Sequence, residues 1–269
     1  MSFPAGAAIA GGAGSARNLV INGTFRINQR GHVSGAALAA GAYAHDRWKA
    51  GAGGCTYTFA QAPVDTTVTI TSGTLVQVVE DKNVEGGAYA LSWAGTAQAR
   101  IGVNGAAPSG AYAASPITVS GVTPGQQIAL EFNAGTLGIV QLEAGASATA
   151  FERRSYQDEM DLCLRYKYRR ATAAVNEVVI VGQAFSSTLA GAAIPFPVPM
   201  RAAPAAAISN MAFANGAGTA IPITGIAAAR TSPTGGHVNC TVSSGLTAGN
   251  ATLFCSSAAG GYIDFDAEI

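Results

Sequence analysis

Aromatic side chains that could lie against a sugar ring are the first candidates for chemistry in this sequence. Trp93 is followed closely by polar residues in ALSWAGTAQAR, so it is the best candidate for a partly exposed ring. Trp48, Tyr57, Tyr89 and Tyr112 are the further candidates. Aromatic residues form 7% of the chain, which gives no dense aromatic platform, and the alternative for each ring is a place in the core. These residue types indicate carbohydrate binding by stacking.

Three oxygen-bearing side chains are candidates for a structural calcium site. They are Asn22, Asp46 and Glu143, and carboxylate and carbonyl oxygens are the ligands that calcium prefers. They would converge if the first and last strands of the N-terminal region were neighbours. The alternative is ordinary polar termination of strands, and we expect no other cofactor.

Catalytic signatures are missing from the sequence. It contains no GxSxG elbow, and no GxxxxGK[ST] or GxGxxG fingerprint accompanies a βαβ pattern. Paired carboxylates for glycoside cleavage would have to come from residues that stand in no recognisable signature. We therefore expect no enzymatic activity and no catalytic residue.

The composition excludes several classes of partner. The 269 residues carry no net charge, so we expect no electrostatic binding of nucleic acid and no nucleic-acid partner. No window approaches the roughly 18 consecutive apolar residues of a membrane span, so we expect no membrane insertion. Charged residues are 11% of the chain, against about 25% in a typical soluble domain. This low charge density is the first indication that other subunits cover part of the surface.

Residues 1–17 are predicted to form a flexible N-terminal arm. Glycines interrupt their apolar stretch and no basic segment precedes it, which argues against a secretory signal. The functional alternative is an attachment arm that becomes ordered on a partner.

Four cysteines are too widely spaced for a zinc site. Cys240 and Cys255 flank a turn-like GLTAGNA segment and could face each other across a hairpin as a disulfide. The alternative is two small buried side chains with free thiols. Cys163 is expected to be a core residue on the buried face of the one predicted helix.

The region 18–154 is predicted to be a β-sandwich or a jelly roll rather than a parallel sheet. Its apolar and polar residues alternate in short runs rich in Thr, Val, Ile and aromatic residues, with Gly, Pro, Asn and Asp between them. The predicted strands are Thr56–Ala60, Thr66–Thr71, Leu75–Glu80, Tyr89–Trp93, Ile117–Ser120 and Gln127–Phe132.

A joining helix is predicted over residues 155–170. Ser155 can cap the helix, with Asp158 as the acidic partner three residues on. Acidic residues lie near its start and basic residues near its end, as the helix dipole favours. Those bases are expected to pair with the dipole and to contact neighbouring subunits; the alternative is a patch for anions or nucleic acid.

The region 171–269 is predicted to be a second, smaller β-sandwich, so the whole chain is expected to be mostly β. The predicted strands are Val175–Val181, Ala193–Val198, Ala206–Ile208, Ile221–Ile226, Val238–Val242, Thr252–Cys255 and Tyr262–Phe265.

Three stretches carry a family resemblance. The first is NLVINGTFRINQRG at 18–31, with AYAHDRW at 42–48. The second is VQLEAGASATAFERRSYQDEMDLCLRYKYR at 140–169, and the third is FPVPMRAAPAAAI at 196–208 with DAEI at 266–269. Together they resemble the tail-fibre, tail-spike and related appendage proteins of tailed phages, and the head-spike proteins of gene transfer agents.

The motifs also have a physical interpretation of their own. Asn22 and Gly23 suit a turn with positive φ. Asp46 and Arg47 are expected to pair with each other while Trp48 packs on the sandwich. These roles define the fold rather than a reaction.

The resemblance implies a virion structural protein that binds host surface polysaccharide for adsorption. It implies an N-terminal domain similar to carbohydrate-binding jelly rolls, other virion proteins as partners, and a homo-oligomer for which a trimer is favoured and a pentamer is the alternative. Its expected place is the virion surface, on the tail or at a capsid vertex, after synthesis in the host cytoplasm. The alternative function is a purely structural spike base or adaptor. A polysaccharide depolymerase would need the long β-helix that this chain lacks.

Overall fold

The computed structural model describes residues 17–214 and 220–269. The chain forms two compact units: the first contains residues 17–26, 34–42 and 49–155, and the second contains residues 27–33, 43–48 and 156–269. The segments 27–33 and 43–48 therefore belong to the second unit. The predicted domain boundaries at 154 and 170 place both segments in the N-terminal domain. The predicted arm over residues 1–17 lies outside the described residues, except for Arg17.

Among the described residues of the first unit, eight strands are formed. They are β1 (Ala37–Leu38), β2 (Lys49–Phe59), β3 (Val68–Val79), β4 (Gly87–Ala94), β5 (Ala99–Gly102), β6 (Ile117–Val122), β7 (Ile128–Phe132) and β8 (Gly135–Ala144), with a 3-10 turn at Asp81–Asn83. The order β1-β2-β3-β8-β4-β6 runs through the sheet, and β7 joins β3 to β5. Two predicted strands, Thr66–Thr71 and Leu75–Glu80, are parts of the one long strand β3.

Alternating apolar residues place the core of the first unit between its strand layers. Trp93 packs edge-on against Phe132, with ring centroids 5.3 Å apart. The predicted turn at Asn22 is confirmed, because its φ is 58°. Gly23 is required beside it, since a Cβ there would lie 2.3 Å from the carbonyl oxygen of Val140.

Outside residues 215–219, the second unit contains the helix α1 (Tyr156–Leu164) and ten strands. The strands are β9 (Lys167–Ala171), β10 (Val178–Ala184), β11 (Leu189–Pro195), β12 (Ala205–Ser209), β13 (Met211–Ala214), β14 (Ala220–Pro222), β15 (Gly225–Ser232), β16 (Gly235–Thr241), β17 (Ala251–Ser256) and β18 (Tyr262–Asp266). A seven-stranded sheet has the order β14-β13-β17-β10-β11-β16-β15, and a three-stranded sheet has the order β12-β18-β9.

One apolar core lies between the two sheets of the second unit. Phe213 and Phe254 of the larger sheet meet edge to face, with ring centroids 4.4 Å apart. Phe265 of the smaller sheet packs on Phe196 at 5.0 Å. The prediction of a mostly β chain with sandwich-like sheets and a helix is confirmed. Among the described residues, no helix is long and apolar enough to cross a membrane.

The predicted helix over residues 155–170 is wrong in its second half. The helix ends at Leu164, and the chain then enters β9, which pairs antiparallel with β18. In that register Arg169 lies opposite Asp264 and Lys167 opposite Asp266. Lys and Arg are good helix formers, so local propensity does not explain the strand. The cross-strand ion pairs of this register favour it instead. Lys167 and Arg169 therefore pair with carboxylates rather than with a helix dipole.

Eight charged side chains form an ion-pair network inside the second unit. They are Arg30, Arg47, Lys167, Arg169, Asp46, Asp264, Asp266 and Glu268. Seven of the eight lie in the stretches quoted in the sequence analysis, and Asp264 lies outside them. The network therefore links residues 30, 46–47, 167–169 and 264–268 within the second unit.

Glu268 joins two arginines of the ion-pair network. Its carboxylate accepts hydrogen bonds from Arg47, and from Nη2 of Arg30 at 3.2 Å. The side chains of Arg47 and Glu268 are only 1% and 4% exposed. The side chain of Arg201 binds the backbone of the same segment. It donates to the carbonyl oxygens of Ala267 and Glu268 at 2.8 Å each.

The expected pairing of Asp46 with Arg47 is replaced by pairs with other segments. Asp46 accepts a 2.6 Å hydrogen bond from Gln29 and forms an ion pair with Arg30 at 3.5 Å, whereas Arg47 pairs with Glu268. Burial raises the pKa of Asp46 to about 6, although Arg30 and Gln29 act to lower it. Trp48 is fully buried, which agrees with the packing role expected from the motif and not with sugar binding.

The cysteines occupy the core as free thiols. Cys240 lies in β16 and Cys255 in β17, and β10 and β11 lie between those two strands in the sheet. The predicted hairpin between them is therefore wrong, and the alternative of two buried thiols is confirmed. Burial raises the pKa of Cys240 to about 12 and that of Cys55 to about 11.

Removing the charge of Glu268 should destabilise the second unit. Glu268→Gln leaves the buried Arg47 without its counter-charge, and the expected loss is about 3 kcal/mol of unfolding free energy. Urea unfolding followed by Trp48 fluorescence in a Trp93→Phe background reports on this unit alone, since the chain has 2 tryptophans. Arg170→Gln, which alters an exposed arginine of β9, is the control and should change stability by about 0.5 kcal/mol or less. Equal effects of the two substitutions would contradict the structural role given to the Arg47–Glu268 pair.

All four thiols should resist a thiol reagent in the folded protein. Burial and raised pKa values keep the reactive thiolate form scarce at about pH 8. Titration with a chromogenic disulfide reagent should give almost no immediate reaction in buffer and four thiols per chain in guanidinium chloride. A Cys240–Cys255 disulfide would reduce the second count to two.

Candidate functional site

The four aromatic side chains predicted to bind sugar are buried. Trp48 and Tyr57 are 0% exposed, Tyr89 is 1% exposed and Trp93 is 7% exposed. The indole Nε1 of Trp93 donates to the carbonyl oxygen of Ala97 at 2.8 Å, so its polar edge is also occupied inside the protein. Rings in these positions present no face to a ligand, and the alternative of core packing is the correct interpretation for all four.

An open cleft of about 440 Å³ lies on the first unit. Its floor follows one cross-strand row, in which Lys49 of β2 pairs with Val76 of β3, Val76 with Glu131 of β7, and Glu131 with Arg100 of β5. The remaining lining is small or apolar apart from one amide: Gly41, Ala50, Gly51, Ala52, Val78, Gly105, Ala106, Ala107, Pro108, Gln127 and Ala129. The cleft thus combines an apolar floor with a few planar polar groups, which is typical of small-molecule sites.

Arg100 and Glu131 are held in one geometry within the cleft. Nε of Arg100 donates to Glu131 at 2.7 Å, and the hydroxyl of Thr74 donates to the other carboxylate oxygen at 2.8 Å. Glycine at position 51 is part of this arrangement, because a Cβ there would lie 2.0 Å from Oγ1 of Thr74. The polar groups are therefore oriented before any ligand arrives.

Tyr112 extends the polar side of the cleft. The guanidinium of Arg100 lies over its ring at 4.6 Å from the centroid, and Nη1 of Arg100 donates to the carbonyl oxygen of Gly110 at 3.4 Å. Burial and the nearby carboxylate of Glu131 raise the pKa of the Tyr112 phenol, so it is a neutral hydroxyl at physiological pH. Tyr112 is the one aromatic candidate from the sequence that lies next to this cleft and is only half-buried.

The three predicted calcium ligands each have other partners. Glu143 accepts hydrogen bonds from the backbone and hydroxyl of Thr149, both at 2.7 Å, and forms an ion pair with Arg17 at 3.2 Å. Burial acts to raise the pKa of Glu143, but these donors outweigh it and the pKa is lowered. Asn22 belongs to the turn described above. Asp46 belongs to the ion-pair network of the second unit.

Calcium therefore has no support from these three residues as they are arranged. Within residues 17–214 and 220–269, no group of three His, Cys, Asp or Glu side chains could hold a metal ion.

Sequence reasoning missed most of the cleft. Arg100, Lys49 and Gln127 carry no motif, and the strand pairings that form the floor of the cleft join residues 27 to 55 positions apart. Alternation does place Glu131 in a strand, but it does not show which strand lies beside it. Only the pairing of β5 with β7 brings Arg100 to Glu131.

Comparisons with known proteins leave the family open. No family model matches the chain, and no curated protein matches it. Wild-type discoidin II from Dictyostelium discoideum is a similar solved structure at 11% identity and a TM-score of 0.20, over 90% of this chain and 92% of that chain. A similarity of this degree carries no inference about function. The resemblance to phage appendage proteins has no support from these comparisons, and the virion role stays a proposal.

Proposed function

We propose that the first unit binds a polysaccharide in the cleft of β2, β3, β5 and β7. The observation that carries this proposal is the oriented pair of Arg100 and Glu131 beside an apolar floor of small residues. A sugar ring has an apolar face and a rim of hydroxyl groups. Such a cleft meets both, because Val76 and its neighbours contact the ring while the charged groups bond its hydroxyls.

The polar groups of the cleft supply both kinds of hydrogen-bond partner. Arg100 has donors left beyond those given to Glu131 and Gly110, and Glu131 has acceptor capacity beyond its two partners. Gln127 offers a donor and an acceptor in one amide. Bonds to ionised groups are stronger than neutral ones, so two or three suffice to orient a sugar.

A shallow open cleft binds weakly as a single site. An oligomer that presents several identical clefts to a repeating polymer gains avidity without further contacts. The low charge density of the chain, 11%, supports a subunit that covers part of its surface with other copies. We therefore propose that the binding unit is a homo-oligomer.

We propose a virion appendage as the setting of this activity, on the strength of the three resembling stretches. A second candidate is the purely structural spike base or adaptor. It is favoured by the observation that the resembling stretches supply the ion-pair network of the second unit, whereas the cleft takes Arg100, Lys49 and Glu131 from outside them. In that case the stretches that resemble appendage proteins form a structural scaffold, and the cleft is not part of what resembles them.

Arg100→Gln should abolish most glycan binding. The substitution removes the guanidinium that orders Glu131 and Tyr112, and we expect a loss of ~10-fold or more in affinity. Binding is measured on an array of bacterial surface polysaccharides and then by calorimetry with the best oligosaccharide. Arg153→Gln is the matched control, because Arg153 is an exposed arginine of the same unit that also pairs with a carboxylate, Asp65 at 2.6 Å. Retained binding by Arg100→Gln would remove the cleft from the proposal.

The virion setting predicts that this chain is found on phage-like particles. Antibody labelling of purified particles from cells that carry the gene should mark the tail or the capsid vertices. Particles that carry the Arg100→Gln chain should still be labelled but should adsorb less to host cells, because the scaffold is unchanged. Normal adsorption by those particles would favour the purely structural role, and unlabelled particles would rule out both roles.

A further inference from the structure

A second, smaller cavity lies on the seven-stranded sheet of the second unit. Its volume is about 250 Å³, and its lining residues are Phe185, Ala229, Arg230, His237 and Asn239. His237 and Asn239 are two positions apart on β16, so both side chains leave the sheet on the same face. Ala229 lies opposite His237 on β15 and completes that face.

Two rings form one wall of this cavity. Phe185 lies in the tight turn between β10 and β11, where its backbone N–H donates to the carbonyl oxygen of Leu189 at 2.8 Å. Its ring lies 5.7 Å from that of His237, with 30° between the planes. Phe185 is 46% exposed, so part of its ring is open at the cavity. The wall therefore offers an apolar surface to a ligand.

Gly191 fixes the position of this wall. A Cβ at Gly191 would lie 2.3 Å from Cε1 of His237 and 2.8 Å from a ring carbon of Phe185. Both rings thus pack directly on the backbone of β11. The wall is a built part of the sheet rather than two independent surface side chains.

Arg230 faces the same cavity from an irregular point of β15. A bulge interrupts the pairing of β15 with β16 between Ala229 and Ser232, and Arg230 has a φ of 49°. L-residues adopt this conformation rarely, and a bulge redirects a side chain out of the regular alternation. Among the residues that the structure describes, no carboxylate pairs with Arg230, in contrast to Arg30, Arg47, Arg100 and Arg169.

From this geometry we propose that the second unit carries its own binding site for a carboxylate-bearing sugar residue, a uronate. The guanidinium of Arg230 receives the carboxylate in a two-pronged pair. The amide of Asn239 bonds ring hydroxyls, and the Phe185–His237 wall contacts the apolar face of the sugar. None of the five lining residues is acidic, so a neutral or anionic ligand meets no repulsion.

This site is separate from the cleft of the first unit and does not depend on it. A chain with both sites would hold a polysaccharide that contains acidic and neutral residues at two points. A substitution in one site would then leave binding at the other site intact.

The site is tested by titrating the full-length ¹⁵N-labelled chain with a trimer of galacturonic acid. The matching trimer of galactose and inorganic phosphate are the two comparison probes. We expect the uronate trimer to shift the amide signals of the five lining residues and to bind ~10-fold or more tightly than the neutral trimer. Arg230→Gln should remove that advantage, and Arg100→Gln should not.

Two further variants keep the test decisive. Asn239→Asp, which keeps the size of the side chain but places a carboxylate beside Arg230, should weaken uronate binding by ~10-fold or more while leaving the fold intact. Arg170→Gln removes an exposed positive charge elsewhere in the same unit and should change nothing. An unchanged uronate affinity in Arg230→Gln, or equal binding of the neutral trimer at these residues, overturns the site.

The remaining outcomes separate this site from the proposed function. If phosphate shifts the same amides as strongly as the uronate does, the site binds anions in general and the sugar assignment is wrong. If uronate binding is lost in Arg100→Gln and kept in Arg230→Gln, the acidic sugar binds in the first unit. That result supports the proposed function and overturns the second site.

Discussion

The buried pair of Arg47 and Glu268 is the interaction on which the second unit depends. Both side chains are buried, so neither charge can be hydrated without opening the fold. Removing one of the two charges leaves the other buried and unpaired, which costs several kcal/mol of unfolding free energy. This requirement ties residues 43–48 to a segment more than 200 positions later. Arg30 and Arg201 reinforce the same segment, one through side-chain carboxylates and the other through carbonyl oxygens. An early stretch of the chain therefore completes a domain formed mainly by the late part.

The cleft of the first unit uses the same kind of pair under different conditions. Arg100 and Glu131 are 27% and 10% exposed, so water still reaches them and each keeps unused hydrogen-bonding capacity. A pair in that position contributes little to stability. It contributes to binding instead, because its geometry is already set by Thr74 and by the space that Gly51 leaves. The degree of burial thus distinguishes the two pairs: Arg47–Glu268 is buried and structural, and Arg100–Glu131 is accessible to a ligand.

Local pattern predicted the strands well and the candidate site poorly. Alternation of apolar and polar residues places Tyr89–Trp93 and Val238–Val242 in strands, because a half-buried strand needs that period. The same alternation places Trp93 in a strand without showing whether its face is covered. The basic segment at 165–170 misled the prediction for a related reason: whether it continues a helix or pairs as a strand depends on Asp264, almost 100 residues away.

The amino-acid sequence by itself determined the β character of the chain, the turn at Asn22 and the absence of a strong charge, since each depends only on neighbouring residues or on composition. Strand order lies beyond such patterns. The pairing of β5 with β7 makes the cleft, and the two strands between β16 and β17 keep Cys240 and Cys255 apart. The tertiary structure decided these features because they depend on which strands become neighbours, and the free energy of that choice is distributed over contacts between residues far apart in the chain.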